Sequence, residues 1–146
     1  MPYFRSLFAE IHVRSGAVNE GLDLVTEALH RVEETGERWF EAELHRMTGE
    51  LMLRLPNADA SGAEARFGHA AATARQQGAK LWELRAATRL ARLWREQDRC
   101  AEARDLLTPV YSQFTEGFAT PDLQAARAIL REITARSEPT TDPKYQ

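Results

Sequence analysis

Small and apolar residues recur along the chain at the spacing of a single helical stripe. The spacing 0, 4, 7, 11 places four side chains on one face of an α-helix, and three segments repeat it. The segments are Gly21, Val25, Ala28 and Val32; Ala63, Phe67, Ala70 and Ala74; and Ala103, Leu107, Val110 and Phe114. No segment shows the period of two that indicates a β-strand. The pattern therefore predicts an all-α protein whose helices pack closely.

The segments that precede these stripes also align with one another. Residues 36–41 match residues 78–83 at an offset of 42, and residues 9–12 match residues 49–52 at an offset of 40. Each unit predicts two antiparallel helices, and one pair alone cannot bury its stripe. The pattern predicts helices at about 3–14, 18–34, 37–55, 61–77, 80–97, 99–115 and 121–136.

Turn and capping residues agree with these boundaries. Gly36 and Gly78 follow apolar runs, where a helix end favours a residue at positive φ. Ser61 begins a capping-box pattern, and Asp98 is a candidate cap for the helix at 99–115. Pro121 suits the first position of the last helix.

The repeated residues resemble the tetratricopeptide repeat. That family places small residues at positions 8, 20 and 27 of a 34-residue repeat and a large apolar residue at position 24. The matching residues here are Ala9, Gly49 and Ala91; Gly21, Ala63 and Ala103; Ala28, Ala70 and Val110; and Val25, Phe67 and Leu107. The period of 40 to 42 is longer than the family's, and Arg5, His45 and Ala87 replace its aromatic residue at position 4.

The resemblance implies a TPR-like α-solenoid wound as a right-handed superhelix. It would contain three antiparallel helix pairs and a C-terminal capping helix within one domain at 1–136. The repeats fall at about 1–35, 36–77 and 78–116, the capping helix at 121–136 and a flexible tail at 137–146.

Short phrases at 37–39, 41–46, 93–97 and 114–118 resemble the C-terminal tails of bacterial class III adenylate/guanylate cyclases with a regulatory ATPase module. Similar tails occur in large LuxR-type regulators. The resemblance implies a non-catalytic interaction and regulatory module of a bacterial signalling protein, which binds a protein segment. Two alternatives remain open: an assembly or oligomerisation scaffold, and a solenoid that senses a small-molecule effector.

Composition excludes several other classes. A net charge of −3 argues against nucleic acid as the partner, and no apolar run is long enough to span a membrane. A single cysteine, Cys100, and the absence of a signal-peptide pattern predict a cytoplasmic protein. No phosphate-binding glycine loop occurs, and no histidine has a second one at i+3 or i+4. We therefore predict no enzyme activity, no cofactor and no metal.

The first helix of each repeat lines a concave peptide-binding groove in the family. The resemblance implies a binding face made of Tyr3, Arg14, Glu43, Arg46, Glu50, Arg54, Arg85, Thr88, Arg92 and Arg95. Its arginines predict an acidic segment or a C-terminal carboxylate as the ligand. The alternative is a face that neutralises itself, since Glu43 can pair with Arg46, and Glu50 with Arg54, along one helix.

The N-terminal edge carries a separate prediction. A solenoid's terminal repeat needs a polar outer face, but the first predicted helix is apolar there. Its residues are Tyr3, Phe4, Leu7, Phe8 and Ile11. An uncovered edge of this kind predicts self-association into a homo-oligomer, or docking onto further repeats.

Overall fold

The computed structural model describes residues 18–36, 38 and 41–137. Within these residues the chain forms six α-helices and no β-strand, which confirms the all-α prediction. The helices are α1 (Val18–Thr35), α2 (Glu41–Leu53), α3 (Ala60–Gln76), α4 (Lys80–Glu96), α5 (Cys100–Tyr111) and α6 (Pro121–Ser137). The helix predicted at 3–14, the predicted self-association edge and the tail beyond Ser137 lie outside the described residues.

Every helix packs against its neighbour along the chain. Helix α4 also contacts both α2 and α6. Helix α4 is thus a direct neighbour of both α2 and α6, and α3 and α5 connect these three helices along the chain. Helices α2 and α4 contain more buried residues than the other described helices do.

The predicted stripes are the buried faces of α1, α3 and α5. The buried residues of these helices are Gly21, Val25, Ala28 and Val32; Ala63, Phe67, Ala70 and Ala74; and Ala103, Leu107 and Val110. Phe114, the last residue of the third stripe, lies beyond the end of α5 and packs half-buried against the same core cluster. The spacing of small and large residues therefore identified the packing faces correctly.

Gly49 on α2 lies directly against the Phe67 ring of α3. A Cβ atom on Gly49 would lie 2.7 Å from Cε1 of Phe67, nearer than carbon atoms pack. Phe67 is only 1% exposed and has little room to move. Glycine is therefore the residue that allows the Phe67 ring to lie this close to the α2 backbone.

Two predicted caps are wrong. Helix α3 begins at Ala60, and the carboxylate of Asp59, not the hydroxyl of Ser61, accepts a hydrogen bond from the Gly62 N–H at 2.8 Å. Asp98 does not cap α5; it ends α4 with φ at 60°, a conformation that Asp tolerates better than most residues.

The other boundaries follow the predicted turn residues, with two differences. Helix α2 spans Glu41–Leu53, although we predicted 37–55, and Arg38 before it is not helical. Gly36 and Gly78 have positive φ at the ends of α1 and α3, and Pro121 is the first residue of α6. Helix α5 ends at Tyr111, although we predicted it to continue to 115. Pro109 lies inside this helix and cannot donate a backbone hydrogen bond, and the helix ends two residues later.

Candidate functional site

Helix α2 buries several ionisable side chains. All residues from Ala42 to Gly49 are buried, among them Glu43, His45 and Arg46. The cause is the position of α2, which contacts α1, α3 and α4 at once. Buried charges are costly unless they are paired, so their partners decide what this face can bind.

The charges on α2 pair with one another and with α4. The Arg46 guanidinium donates to Glu43 and to Glu50, each at 2.8 Å. Glu50 also lies 2.6 Å from Arg89 Nε on α4, and Glu43 lies 3.5 Å from Arg85 Nη1. The predicted pairing of Glu43 with Arg46 is confirmed, and both carboxylates are held by α4 as well.

A second set of ion pairs joins α4 to α6. Arg85 Nε donates to Asp122 at 3.0 Å, and Arg95 pairs with Glu132. Arg136 donates to the backbone carbonyl of Arg95 at 3.1 Å. Arg85 and Arg95 are therefore engaged within the protein, although we predicted them to be exposed for a ligand.

The remaining members of the predicted binding face differ in whether their side chains could still contact a ligand. Tyr3 and Arg14 lie outside the described residues. The Thr88 hydroxyl donates to the Leu84 carbonyl at 2.7 Å, one turn earlier in α4. Arg54 is exposed at the end of α2. Arg92 is half-buried, and within the described part of the chain it has no ion pair or hydrogen bond through its side chain.

Arg92 lies at the edge of a cleft between α2, α3 and α4. The cleft has a volume of about 180 Å³. Its lining combines an apolar part with charged residues, namely Leu53, Phe67 and Leu93 with Glu50, Arg54, Arg89, Arg92 and Glu96. Within the described residues, this partly apolar cleft beside the guanidinium of Arg92 is therefore the part of the face where a ligand could still bind.

A separate polar cluster joins α2 to α3. The His45 and His69 rings lie 4.1 Å apart between centroids, and the Glu41 carboxylate lies 3.5 Å from His45 Nε2. Arg66 lies 3.0 Å from His45 Nδ1, and Arg38 pairs with Glu41 at 3.2 Å. The ligand atoms of Glu41, His45 and His69 all lie within 4.8 Å of one another.

Burial dominates the chemistry of His45. Desolvation, with the nearby charges of His69 and Arg66 as smaller causes, lowers the pKa of His45 from 6.5 to about 4. The imidazole is therefore neutral at pH 7. Our sequence prediction of no metal site compared histidines within one helix only, so it missed a cluster whose members come from two helices. The i, i+4 spacing of Glu41 and His45 was the available signal.

Comparisons of the chain with protein-family models, with curated proteins and with solved structures find no significant match. The resemblance to the tetratricopeptide repeat thus remains an expectation from the sequence. Among the described helices, none combines the length and the apolar character needed to cross a bilayer.

Proposed function

We propose that this chain is a non-catalytic protein-interaction module that binds an acidic protein segment on the face formed by α2, α4 and α6. In this proposal the helices stack as a TPR-like right-handed α-solenoid, and the face is its concave groove. The module would belong to a cytoplasmic bacterial signalling protein, such as a cyclase or an ATPase-type regulator, and would relay binding to that protein's other parts.

Arg92, whose side chain has no partner among the described residues, carries the proposal. Arg85, Arg89 and Arg95 on the same helix each have a carboxylate partner. An arginine left without one, half-buried beside an apolar cleft, is partly desolvated already and gains most from a ligand's carboxylate. Arg92 therefore distinguishes a binding face from a face that is fully neutralised by its own ion pairs.

The cleft also indicates what kind of segment fits. Leu53, Phe67 and Leu93 offer an apolar surface next to the Arg92 guanidinium. A ligand that places one apolar side chain in the cleft and a carboxylate on Arg92 would use both. Glu50 and Glu96 line the same cleft, so a basic segment would gain from them, but Glu50 already has two arginine partners. We therefore expect an acidic segment with one apolar anchor.

Charge reversal at Arg92 tests this function. The probes are short fluorescein-labelled peptides that carry two Glu residues beside one Leu or Phe, with Lys-for-Glu versions as charge controls. We expect fluorescence anisotropy to show binding of the acidic peptides that weakens by about tenfold or more in Arg92→Glu, since losing a charge-assisted contact and adding repulsion each contribute.

A matched control has the same charge change outside the face. Arg104 is exposed on α5, and in the described structure its side chain has no partner. Arg104→Glu should bind the acidic peptides like the parent protein, and both variants should keep the parent's helical circular dichroism. Equal binding by Arg92→Glu would refute this site and favour the scaffold interpretation.

A further inference from the structure

Three metal-binding side chains meet where α2 packs against α3. Glu41 and His45 stand one helical turn apart on α2, and His69 reaches them from α3. Two imidazoles and one carboxylate form a donor set that Zn²⁺ binds in proteins. None of these residues belongs to the cleft beside Arg92, so the cluster is independent of the proposed peptide site.

One pair of ligand atoms in the cluster already has a separation near that found around a bound ion. Bonds of about 2.0–2.2 Å in a tetrahedron place neighbouring ligand atoms roughly 3.3 Å apart. Glu41 Oε1 and His45 Nε2 lie 3.5 Å apart, near this separation. His69 is exposed on α3 and is free to close the remaining gap, because every pair of ligand atoms is within 4.8 Å.

His45 supplies a second, independent observation. Its side chain is only 10% exposed, and its Nε2 atom is buried without a hydrogen-bond partner. A buried polar atom without a partner costs free energy, and buried imidazoles normally satisfy both ring nitrogens. The unsatisfied atom points toward the Glu41 carboxylate, the place where a cation would be coordinated.

We propose that Glu41, His45 and His69 form a site for a divalent transition-metal ion of the Zn²⁺ type, which links α2 to α3. Glu41 and His45 also line a cleft of about 270 Å³ between α1, α2 and α3. The cleft gives space for a water molecule as the fourth ligand. The ion stabilises the packing of the two helices, since it binds only when both are in place.

The positive charge of Arg66 disfavours binding of the metal ion. Its guanidinium is always protonated and lies 3.0 Å from His45 Nδ1, so this nitrogen accepts a hydrogen bond and the proton of the neutral ring is on Nε2. When the ion binds Nε2, that proton shifts to Nδ1 and Arg66 withdraws. Arg66 is only half-buried, so its side chain has room to move. Removing its charge should therefore strengthen metal binding.

Isothermal titration of the tag-free chain with ZnCl₂ tests the site, with MgCl₂ as the hard-cation control. We expect one Zn²⁺ per chain with a dissociation constant at or below about 10 µM, and no Mg²⁺ binding. His69→Ala should weaken Zn²⁺ binding by roughly 100-fold or more, because it removes a ligand from an exposed position without disturbing the core. Arg66→Gln should tighten binding by about fivefold, since a repelling charge is lost.

A matched control excludes binding at the thiol. Cys100 lies on α5, outside the cluster, and Cys100→Ser should bind Zn²⁺ like the parent chain. Zn²⁺ should also raise the melting temperature of the parent and of Cys100→Ser, but not that of His69→Ala. The absence of stoichiometric Zn²⁺ binding, or binding that survives His69→Ala, would overturn the site. Loss of binding in Cys100→Ser would overturn it too.

Discussion

Helices α2 and α4 occupy equivalent positions in the repeat, but their interiors differ. At an offset of 42, Gly49 on α2 corresponds to Ala91 on α4, and His45 corresponds to Ala87. Ala87 and Ala91 belong to an apolar cluster that also contains Leu107. On α2 the same two positions hold a glycine against a phenylalanine ring and a buried imidazole. The comparison teaches that two helices aligned by sequence can bury either an apolar interior or a polar cluster at the same positions.

Charged residues at aligned positions of the two helices have opposite signs. Glu43 and Glu50 on α2 correspond to Arg85 and Arg92 on α4 at the same offset. Opposite charges at equivalent positions let neighbouring repeats pair, as Glu43 does with Arg85 at 3.5 Å. Glu50 pairs with Arg89 instead, which leaves Arg92 without a partner in the described structure. The irregular pairing is thus what creates the candidate binding residue.

The largest expected effect concerns the buried imidazole. The pKa of His45 is about 4 in the folded chain and near 6.5 in the unfolded chain, so between these values only the unfolded chain holds the proton. The free energy of unfolding should therefore fall as the pH drops from 6.5 to 4, by about 3 kcal/mol in all. Urea unfolding at several pH values, with a chelator present to keep the protein metal-free, measures this loss.

His45→Ala makes α2 like α4 at this position and serves as the control. Carboxylates elsewhere contribute their own pH dependence to both proteins, so the difference between the two curves isolates the imidazole. The variant should lose less stability on acidification than the parent does. Parallel curves for parent and variant would mean that the pKa of His45 is not lowered.

The sequence predicted the apolar interior much better than the polar one. The stripes at spacing 0, 4, 7, 11 are local, so one helix alone determines which face is buried, and the buried residues of α1 and α3 match them in full. The meeting of His45 with His69, or of Arg85 with Asp122, depends on how different helices pack. Such contacts follow from tertiary geometry, which spacing along one helix does not contain.

On the predicted binding face, too, spacing along one helix predicts only the contacts within that helix. Pairing of Glu43 with Arg46 is a property of a single helix and could be predicted. The engagement of Arg95 by Glu132 could not, because it joins α4 to α6. Family positions supplied the predicted face, and only the cross-helix ion pairs reveal which of its arginines already have a carboxylate partner.

The intermediate effect concerns the close contact of α2 with α3. Gly49→Ala adds a methyl group 2.7 Å from the Phe67 ring, and we expect a loss of about 1–2 kcal/mol in unfolding free energy, after the better helix propensity of Ala is included. Combining Gly49→Ala with Phe67→Leu gives the pair of residues, Ala and Leu, that the chain has at the aligned positions Ala91 and Leu107. The double variant should therefore lose less stability than the sum of the single variants, as urea unfolding of all four proteins would measure.

Whether the double variant loses less stability than the sum of the single variants decides whether Gly49 and Phe67 constrain each other. Phe67→Leu alone should be destabilising, since it leaves a void opposite Gly49. If the effects of Gly49→Ala and Phe67→Leu simply add, the two positions do not constrain each other, and the glycine is not needed for the ring. Gly68 on α3 has open space around it, so Gly68→Ala is a control in which the methyl group meets no neighbour.

The smallest expected effect concerns the ion pair between α4 and α6. Arg85 and Asp122 are about one-third exposed, so their pairing should contribute only about 0.5 kcal/mol. Asp122 also lies in the first turn of α6, where a negative charge interacts favourably with the helix dipole.

A single Asp122→Asn substitution removes both contributions, and a double-mutant cycle with Arg85→Gln separates them. We expect a coupling of about 0.5 kcal/mol that decreases in 1 M salt. If Asp122→Asn costs the same with and without Arg85, the ion pair contributes nothing, and the helix dipole alone explains why an acidic residue begins α6.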